Sequence, residues 1–254
     1  MTNPTLDLIH AHGSVRHYKS DPLSDSMIET IVGAAQRAST SSNMQCYSVI
    51  AVTDTSKREE LAKLCGNQTF IAQAPLFLAW CADLARLDHA CEMRGYTQVT
   101  QYTENFLISA LDATIAAQNA AIAAESMGLG ICYVGSIRNN PHEVIQLLGL
   151  PRLVFPIVGM TVGYPAQPPR LRPRLPLQAI LHRECYNPNQ DEALHQYDHE
   201  MAATGIYAQR QVPVPGKPEV MEEYGWLEHT ARRVSQVTRK FLRQVLNEQG
   251  FGLE

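Results

Sequence analysis

The chain has 254 residues, of which 45% are hydrophobic and 18% charged, with a formal net charge of −4. A chain of this length suits one large domain, or one domain with an extension, and can bury a core without staples. The mild, dispersed charge excludes the basic stripe of a nucleic-acid binder, and no block of like charge marks a polyelectrolyte tail.

Six cysteines, Cys46, Cys65, Cys81, Cys91, Cys132 and Cys185, show no C-x-x-C spacing. They read as buried reduced thiols, not as a zinc or disulfide framework, which points to a reducing, cytoplasmic compartment and to no metal. The N-terminal stretch lacks a basic region followed by an apolar run, so no secretory signal is expected. The apolar segments contain polar residues and fall short of about 18 clean apolar positions, so no membrane span is expected.

Residues 6–11 read as a short helix leading into HGSVRHY. DPLSDSMIETIVGAAQRAS then carries helix-start signals, with Ser26 to Glu29 as a capping box and Ile28, Ile31, Val32 and Ala35 at helical spacing. The polar run STSSN follows. YSVIAVT, residues 47–53, reads as a strand, residues 55–65 as an amphipathic helix stopped by Gly66, and APLFLAWCA, 74–82, as a strand buried on both faces. Residues 84–101 look like an irregular surface excursion. TENFLISALDATIAAQNAAIAAESMG is apolar nearly all round, with Glu104, Asp112 and Glu125 its few charges. It reads as a helix buried on every side, most easily if a second subunit covers one face. Strands follow at 129–135 and over VFPIVGMTVGY, separated by the helix PHEVIQLLG, and AILH at 179–182 is a candidate fifth strand. Beyond about residue 186 the pattern is helical, interrupted by QVPVPGKPEV, with a final helix over 224–249. Alternating strands and helices around so apolar a helix argue for an α+β fold.

No G-x-G-x-x-G joins a strand to a helix, and no P-loop, G-x-S-x-G or H-E-x-x-H is present. What stands out is a set of anion-binding groups. In an extended segment His12, Ser14 and Arg16 share one side, and Ser14 and Arg16 can both grip a phosphate. Arg170, Arg172 and Arg174 concentrate three guanidinium groups in a proline-stiffened loop. The cluster from Ser39 to Asn43, with Gln45, offers hydroxyls and amides, and Gly135 allows close backbone approach. Each of these taken alone also fits an ordinary surface loop.

Taken together and in order, HGSVR (12–16), STSSNMQC (39–46), GNQTF (66–70), AQNAAIAAESMGLG (117–130), YVGSIRN (133–139) and RLRPRLP (170–176) resemble the bacterial oxygen-insensitive NADPH nitroreductases and NADPH–FMN oxidoreductases. The resemblance implies a homodimeric α+β fold with a central, mostly antiparallel sheet flanked by helices and a long buried central helix. It implies an FMN-binding core over residues 1–185. Residues 186–254 would form a helical C-terminal extension that wraps the partner subunit and contributes to NAD(P)H binding. It also implies FMN as cofactor and NADPH or NADH as electron donor. His12, Gly13, Ser14, Val15 and Arg16, completed by Arg172 and Arg174, would bind the phosphate and ribityl region. Ser39, Thr40, Ser41, Gln45 and Gln68 would bind ribityl and ring polar atoms, and Tyr133, Val134, Gly135 and Ser136 would lie along the isoalloxazine. Arg210 is the candidate for the 2′-phosphate of NADPH, ahead of Lys217.

Two positions depart from the family pattern, Gly13 standing for Arg and Ser136 for Gly, while Arg172 often stands for a Lys of the same charge. The implied reaction is ping-pong hydride transfer through FMN to nitro compounds, quinones or flavins, with no catalytic side chain required. The alternatives are a dedicated flavin reductase, a non-catalytic flavin-binding redox sensor, and the same fold gripping a different phosphate.

Overall fold

The computed structural model describes residues 3–254. Two compact units divide it: residues up to 170 together with 239–254, and residues 171–238.

The first unit opens with α1 (Pro4–His10), capped by the Asn3 side chain on the Leu6 N–H. In α2 (Asp25–Ala35) the cap is Ser24, which accepts from the Met27 N–H, whereas the capping box was expected at Ser26. Ser24 is extended and reaches the free helix-start donors, and the Ser26 hydroxyl bonds to it. β1 (Tyr47–Val52), α3 (Thr55–Leu64), α4 (Thr69–Gln73) and β2 (Leu76–Asp83) follow. The segment expected to be an irregular excursion instead contains α5 (Ala85–Arg94), ended by Gly95 at φ 74°. α5 buries no residue, so no apolar periodicity announced it. Next come α6 (Thr103–Ser126), β3 (Gly130–Val134), α7 (Pro141–Leu148) and β4 (Val154–Gly163).

Among the described residues the sheet of this unit has four strands in the order β1-β2-β4-β3, each pair antiparallel. Alternation along the strands separates two cores. Leu76, Leu78, Trp80, Ile131, Met160 and Val162 face the alanines of α6 together with α2. Phe77, Ala79, Cys132 and Val134 face the other way, among residues of α3, α4 and α7. β2 is buried along its whole length, as its unbroken apolar run predicts.

α6 is buried on one side only. Ala113, Ala116, Ala117, Ala120, Ala121 and Ala124 are inside, while Leu107, Leu111 and Ile115 are 44–50% exposed along the opposite side. Within one chain the expected all-round burial is therefore not met. α6 is also long and apolar enough to cross a membrane, but its alanine face is packed on the sheet.

In residues 171–238 a 3-10 turn at Leu177–Ala179 ends where AILH, a candidate strand, begins, and no strand forms over 179–182. α8 (Asp191–Ala203) is followed by an antiparallel hairpin, β5 (Gln211–Val214) and β6 (Lys217–Glu223), where an interrupted helical pattern was expected. Gly216, at φ 77°, makes the turn. α9 (Trp226–Val234) packs its start with Tyr197, Met201 and Tyr207. The single final helix expected over 224–249 is two helices. α9 ends at Val234, and α10 (Leu242–Glu248) belongs to the first unit, where Val245, Leu246 and Phe251 bury against Ala82 and Phe155. The compact units therefore divide near 171 and 239.

Cys46, Cys65, Cys81 and Cys132 are buried thiols as read, but Cys91 is partly exposed and Cys185 exposed.

A candidate anion and flavin site

β3 is an edge strand, and residues 12–16 lie along its free edge. The Val15 N–H donates to the Ile131 carbonyl at 2.8 Å. Gly130 makes this possible, because a Cβ there would come within 2.5 Å of the Val15 side chain. The Tyr18 hydroxyl fixes the segment further by donating to the Val15 carbonyl at 2.7 Å, and it lies 2.8 Å from the Thr161 hydroxyl.

The alternation read from sequence is present: Gly13 and Val15 are buried, while His12, Ser14 and Arg16 turn outward. Gly13 has no room for a side chain, since a Cβ would stand 2.9 Å from the Pro169 Cβ and 3.0 Å from the Arg170 carbonyl oxygen. This close approach accounts for the departure at position 13.

The outward side chains have distinct surroundings. Ser14 lies against the Cys132 thiol. Burial pushes that thiol's pKa up, against the opposing pull of Arg16 and a hydrogen bond with Ser14. The Arg16 guanidinium lies 5.9 Å from the Phe70 ring centroid and has no carboxylate partner among the described residues. Gln68 donates its amide to the Cys65 carbonyl at 2.7 Å and to the Ser136 hydroxyl. Ser136 in turn touches the Cys65 thiol, whose pKa burial pushes up to about 12 against that contact. Ser14, Arg16, Phe70, Gln68 and Ser136 thus gather at one end of the sheet. Val15 and Val134 are buried and offer a ligand only backbone. Tyr133 turns to the other face, where its hydroxyl donates to Gln118 of α6.

The serine loop is built separately. Ser42, Asn43 and Gln45 all have positive φ, 48°, 57° and 54°, a region that costs non-glycine residues energy. The Asp112 carboxylate, on the buried side of α6 and 2% exposed, holds them there. It accepts from the Ser41 N–H at 2.9 Å and the Cys46 N–H at 3.0 Å. Ser39, Ser42 and Gln45 remain exposed, and Thr40 and Ser41 are partly so. No hydrogen bond among the described residues joins this loop to residues 12–16.

In the second unit Arg172 and Arg174 are exposed, and Arg174 donates only to the Arg172 and Pro173 carbonyls, at 3.4 Å each. Arg210 is exposed, lies 5.6 Å from the Tyr224 ring centroid, and lines a cavity of about 270 Å³ with Tyr207, Gln209 and Gln211. Lys217 lies at the start of the exposed strand β6.

Sequence reasoning missed four residues that the geometry brings forward. Asp112 holds the serine loop and Glu125 lies 2.6 Å from His12 Nδ1, and their signal was an acid in a helix otherwise apolar. Arg138, beside Gly135, donates to the Ile157 carbonyl, and its pKa is lowered by burial and by the neighbouring Arg239. Arg239 donates to Asn139 at 3.0 Å, and the two arginines approach each other across 101 positions of sequence, which no local pattern reveals.

Cationic and hydroxyl donors without acid partners, set beside amides and an aromatic ring, suit a phosphate ester carrying a polar heteroaromatic group. Among the described residues no three His, Cys, Asp or Glu side chains gather as metal ligands.

Comparison with known proteins agrees with this geometry. Residues 9–164 match the nitroreductase family and residues 172–254 the C-terminal domain of that family. The chain is 39% identical over 252 residues to FMN reductase (NADPH) of Bacillus subtilis, with 98% of each chain covered. It is 36% identical to the oxygen-insensitive NADPH nitroreductase of Salmonella typhimurium, again with 98% of each covered. The structure of the NADPH:FMN oxidoreductase of Vibrio harveyi complexed with NAD+ matches with a TM-score of 0.87 and 34% identity, covering 99% of this chain and 100% of that one. The chain belongs to the nitroreductase family.

Proposed function

We propose that this chain is an FMN-dependent NAD(P)H oxidoreductase that reduces nitroaromatic compounds, quinones or flavins. The observation that carries the reading is the outward face of residues 12–16, where Ser14 and the acid-free Arg16 stand beside Gln68 and Ser136 on a rigid sheet edge. The donor set fits FMN: a guanidinium and hydroxyls for its phosphate, and amides for its ring.

Arg16 and Ser14 bind the phosphate, with Arg172 and Arg174 supplying further positive charge. His12 joins them on the phosphate side, the 39–45 loop and Gln68 take ribityl and ring polar atoms, and the backbone of Gly135 admits close approach. When bound, FMN would supply the redox chemistry, hydride transfer between NAD(P)H and the acceptor. The protein's share is position and electrostatics, so no acid, base or nucleophile is needed beside the ring. Donor and acceptor use one space in turn, which gives ping-pong kinetics. Arg210 and its cavity are the proposed seat of the NADPH 2′-phosphate.

The working form is proposed to be a homodimer. Leu107, Leu111 and Ile115 form an exposed apolar stripe on α6, and the serine loop held by the same helix has no bond to residues 12–16. A second copy on the stripe would bury it and bring the loop of one chain toward the sheet edge of the other. The proposed compartment is the cytoplasm, where the free thiols stay reduced.

The test is an absorbance spectrum of purified protein supplied with FMN, then anaerobic titration with NADPH and NADH separately. A yellow protein that bleaches with either donor and recovers its colour with a nitrofuran, a quinone or free FMN is expected. Colourless protein after dialysis against FMN would sink the assignment. Yellow protein that neither donor bleaches would make it a flavin-binding sensor. Because relatives carry both names, turnover on free FMN is compared directly with turnover on nitrofurans.

A further inference from the structure

Glu125 lies in the last turn of α6, a turn without a basic residue. The helix carbonyls place partial negative charge there, so a carboxylate is locally disfavoured. Its Oε1 is 2.6 Å from Nδ1 of His12, across 113 positions of sequence. The pair is sheltered, with side chains 13% and 30% exposed. An ionised carboxylate only accepts, so Nδ1 must carry the hydrogen. The Tyr133 phenol lies near the same carboxylate. Its pKa is pushed up by burial and then by Glu125.

We propose that Glu125 is a positioning residue: it fixes the His12 imidazole by Nδ1 and compensates its positive charge, so that Nε2–H is presented to the phosphate of the bound flavin nucleotide beside Ser14 and Arg16. The inference rests on the FMN reading above. His12 shares its side of the extended segment with those two residues, and Glu125 leaves Nε2 as the ring's free nitrogen. Without a counter-charge, an imidazolium two residues from Arg16 would be repelled by it.

The experiment compares wild type, Glu125→Gln, His12→Ala and the double variant for binding of FMN and of riboflavin, which lacks the phosphate. It also follows the ¹⁵N signals of His12. Gln is isosteric, and a thermal melt checks that each variant is folded. Glu125→Gln is expected to weaken FMN binding about tenfold, the scale of one charge-assisted bond, and to leave riboflavin binding unchanged. The double variant should bind FMN no more weakly than His12→Ala alone, since both changes break one unit. In wild type, FMN should bring both ring nitrogens to the protonated state, and in Glu125→Gln it should not.

FMN affinity equal to wild type in Glu125→Gln would overturn the proposal, as would equal losses for FMN and riboflavin or full additivity in the double variant. Wild type that fails to bind FMN at all would instead overturn the functional reading beneath it.

Discussion

The two units handle polar side chains in opposite ways. In the sheet unit the segments of the candidate site are tied to buried or sheltered groups: the serine loop to Asp112, His12 to Glu125, the HGSVR segment to Ile131 and Tyr18. In residues 171–238 the candidate arginines are exposed, and their hydrogen bonds go to carbonyls of their own loop or to none. The first arrangement is preorganised by the core. The second acquires order from what it binds, at an entropic cost paid on binding. Substitutions should therefore separate into large effects on the first side and small, ligand-selective effects on the second.

The sharpest break in that contrast comes at Asp112. Replacing it by Ala strands the Ser41 and Cys46 N–H groups, the second of them buried, and releases three residues held at positive φ. Losing two bonds to a charged group costs about 3 kcal/mol or more. At roughly 2–4 °C per kcal/mol for a chain this size, Tm should fall by about 6–12 °C. FMN retention after dialysis should fall with it. A melt within about 2 °C of wild type would mean that α6 does not hold the loop. Cys46 offers a second readout. Its thiol is pushed up to about 11, first by burial and then by Asp112, so Asp112→Ala should also raise its reactivity toward alkylating reagents at neutral pH.

Next in size is the exposed stripe. Leu111→Glu places a charge midway between Leu107 and Ile115, on a surface that a single folded chain already leaves in water. The monomer fold should tolerate it, with a change in stability of about 0.5 kcal/mol or less. Sedimentation should nevertheless shift from dimer to monomer, and bound flavin should be lost in parallel. If the variant stays dimeric, or is monomeric and fully yellow, the proposal that two chains build each site fails.

These contrasts also explain what the sequence made legible. The sheet and α6 announced themselves because burial imposes a period, and β2, buried along its length, is the clearest case. α5 was missed because it buries nothing, and the β5–β6 hairpin because β6 is exposed throughout and three prolines fall within or beside it. At the site, HGSVR was readable because its five residues are contiguous and alternate. Asp112, Glu125, Arg138 and Arg239 act across 66 or more positions or through pairings between elements, and a lone acid or arginine carries no sign of its partner.

Arg16→Ala tests the preorganised side at a single charge. The guanidinium faces Phe70 and has no acid to satisfy, so removing it leaves no buried group unpaired and should shift Tm little. Its effect should fall on the anion: about tenfold to a hundredfold weaker FMN binding, with near-normal turnover once FMN is saturating. Full flavin absorbance after dialysis would mean that Arg16 does not hold the phosphate.

The smallest effect is expected on the exposed side, at Arg210. It lies at the rim of its cavity, over the Tyr224 ring, in water. Exposed charge pairs are worth about 0.2–1 kcal/mol, so Arg210→Ala should raise the KM for NADPH by only about twofold to fivefold. A phosphate-specific contact has a property that a generally helpful charge lacks, because NADH presents no 2′-phosphate. KM for NADH and kcat with either donor should therefore stay at wild-type values, and the loss for NADPH should shrink with added salt. Equal losses for both donors would move Arg210 from selecting a phosphate to supporting the loop that carries it. A loss for NADPH far beyond the expected range would show that this corner, too, is preorganised, and that the contrast between the two units is less sharp than their hydrogen bonds suggest.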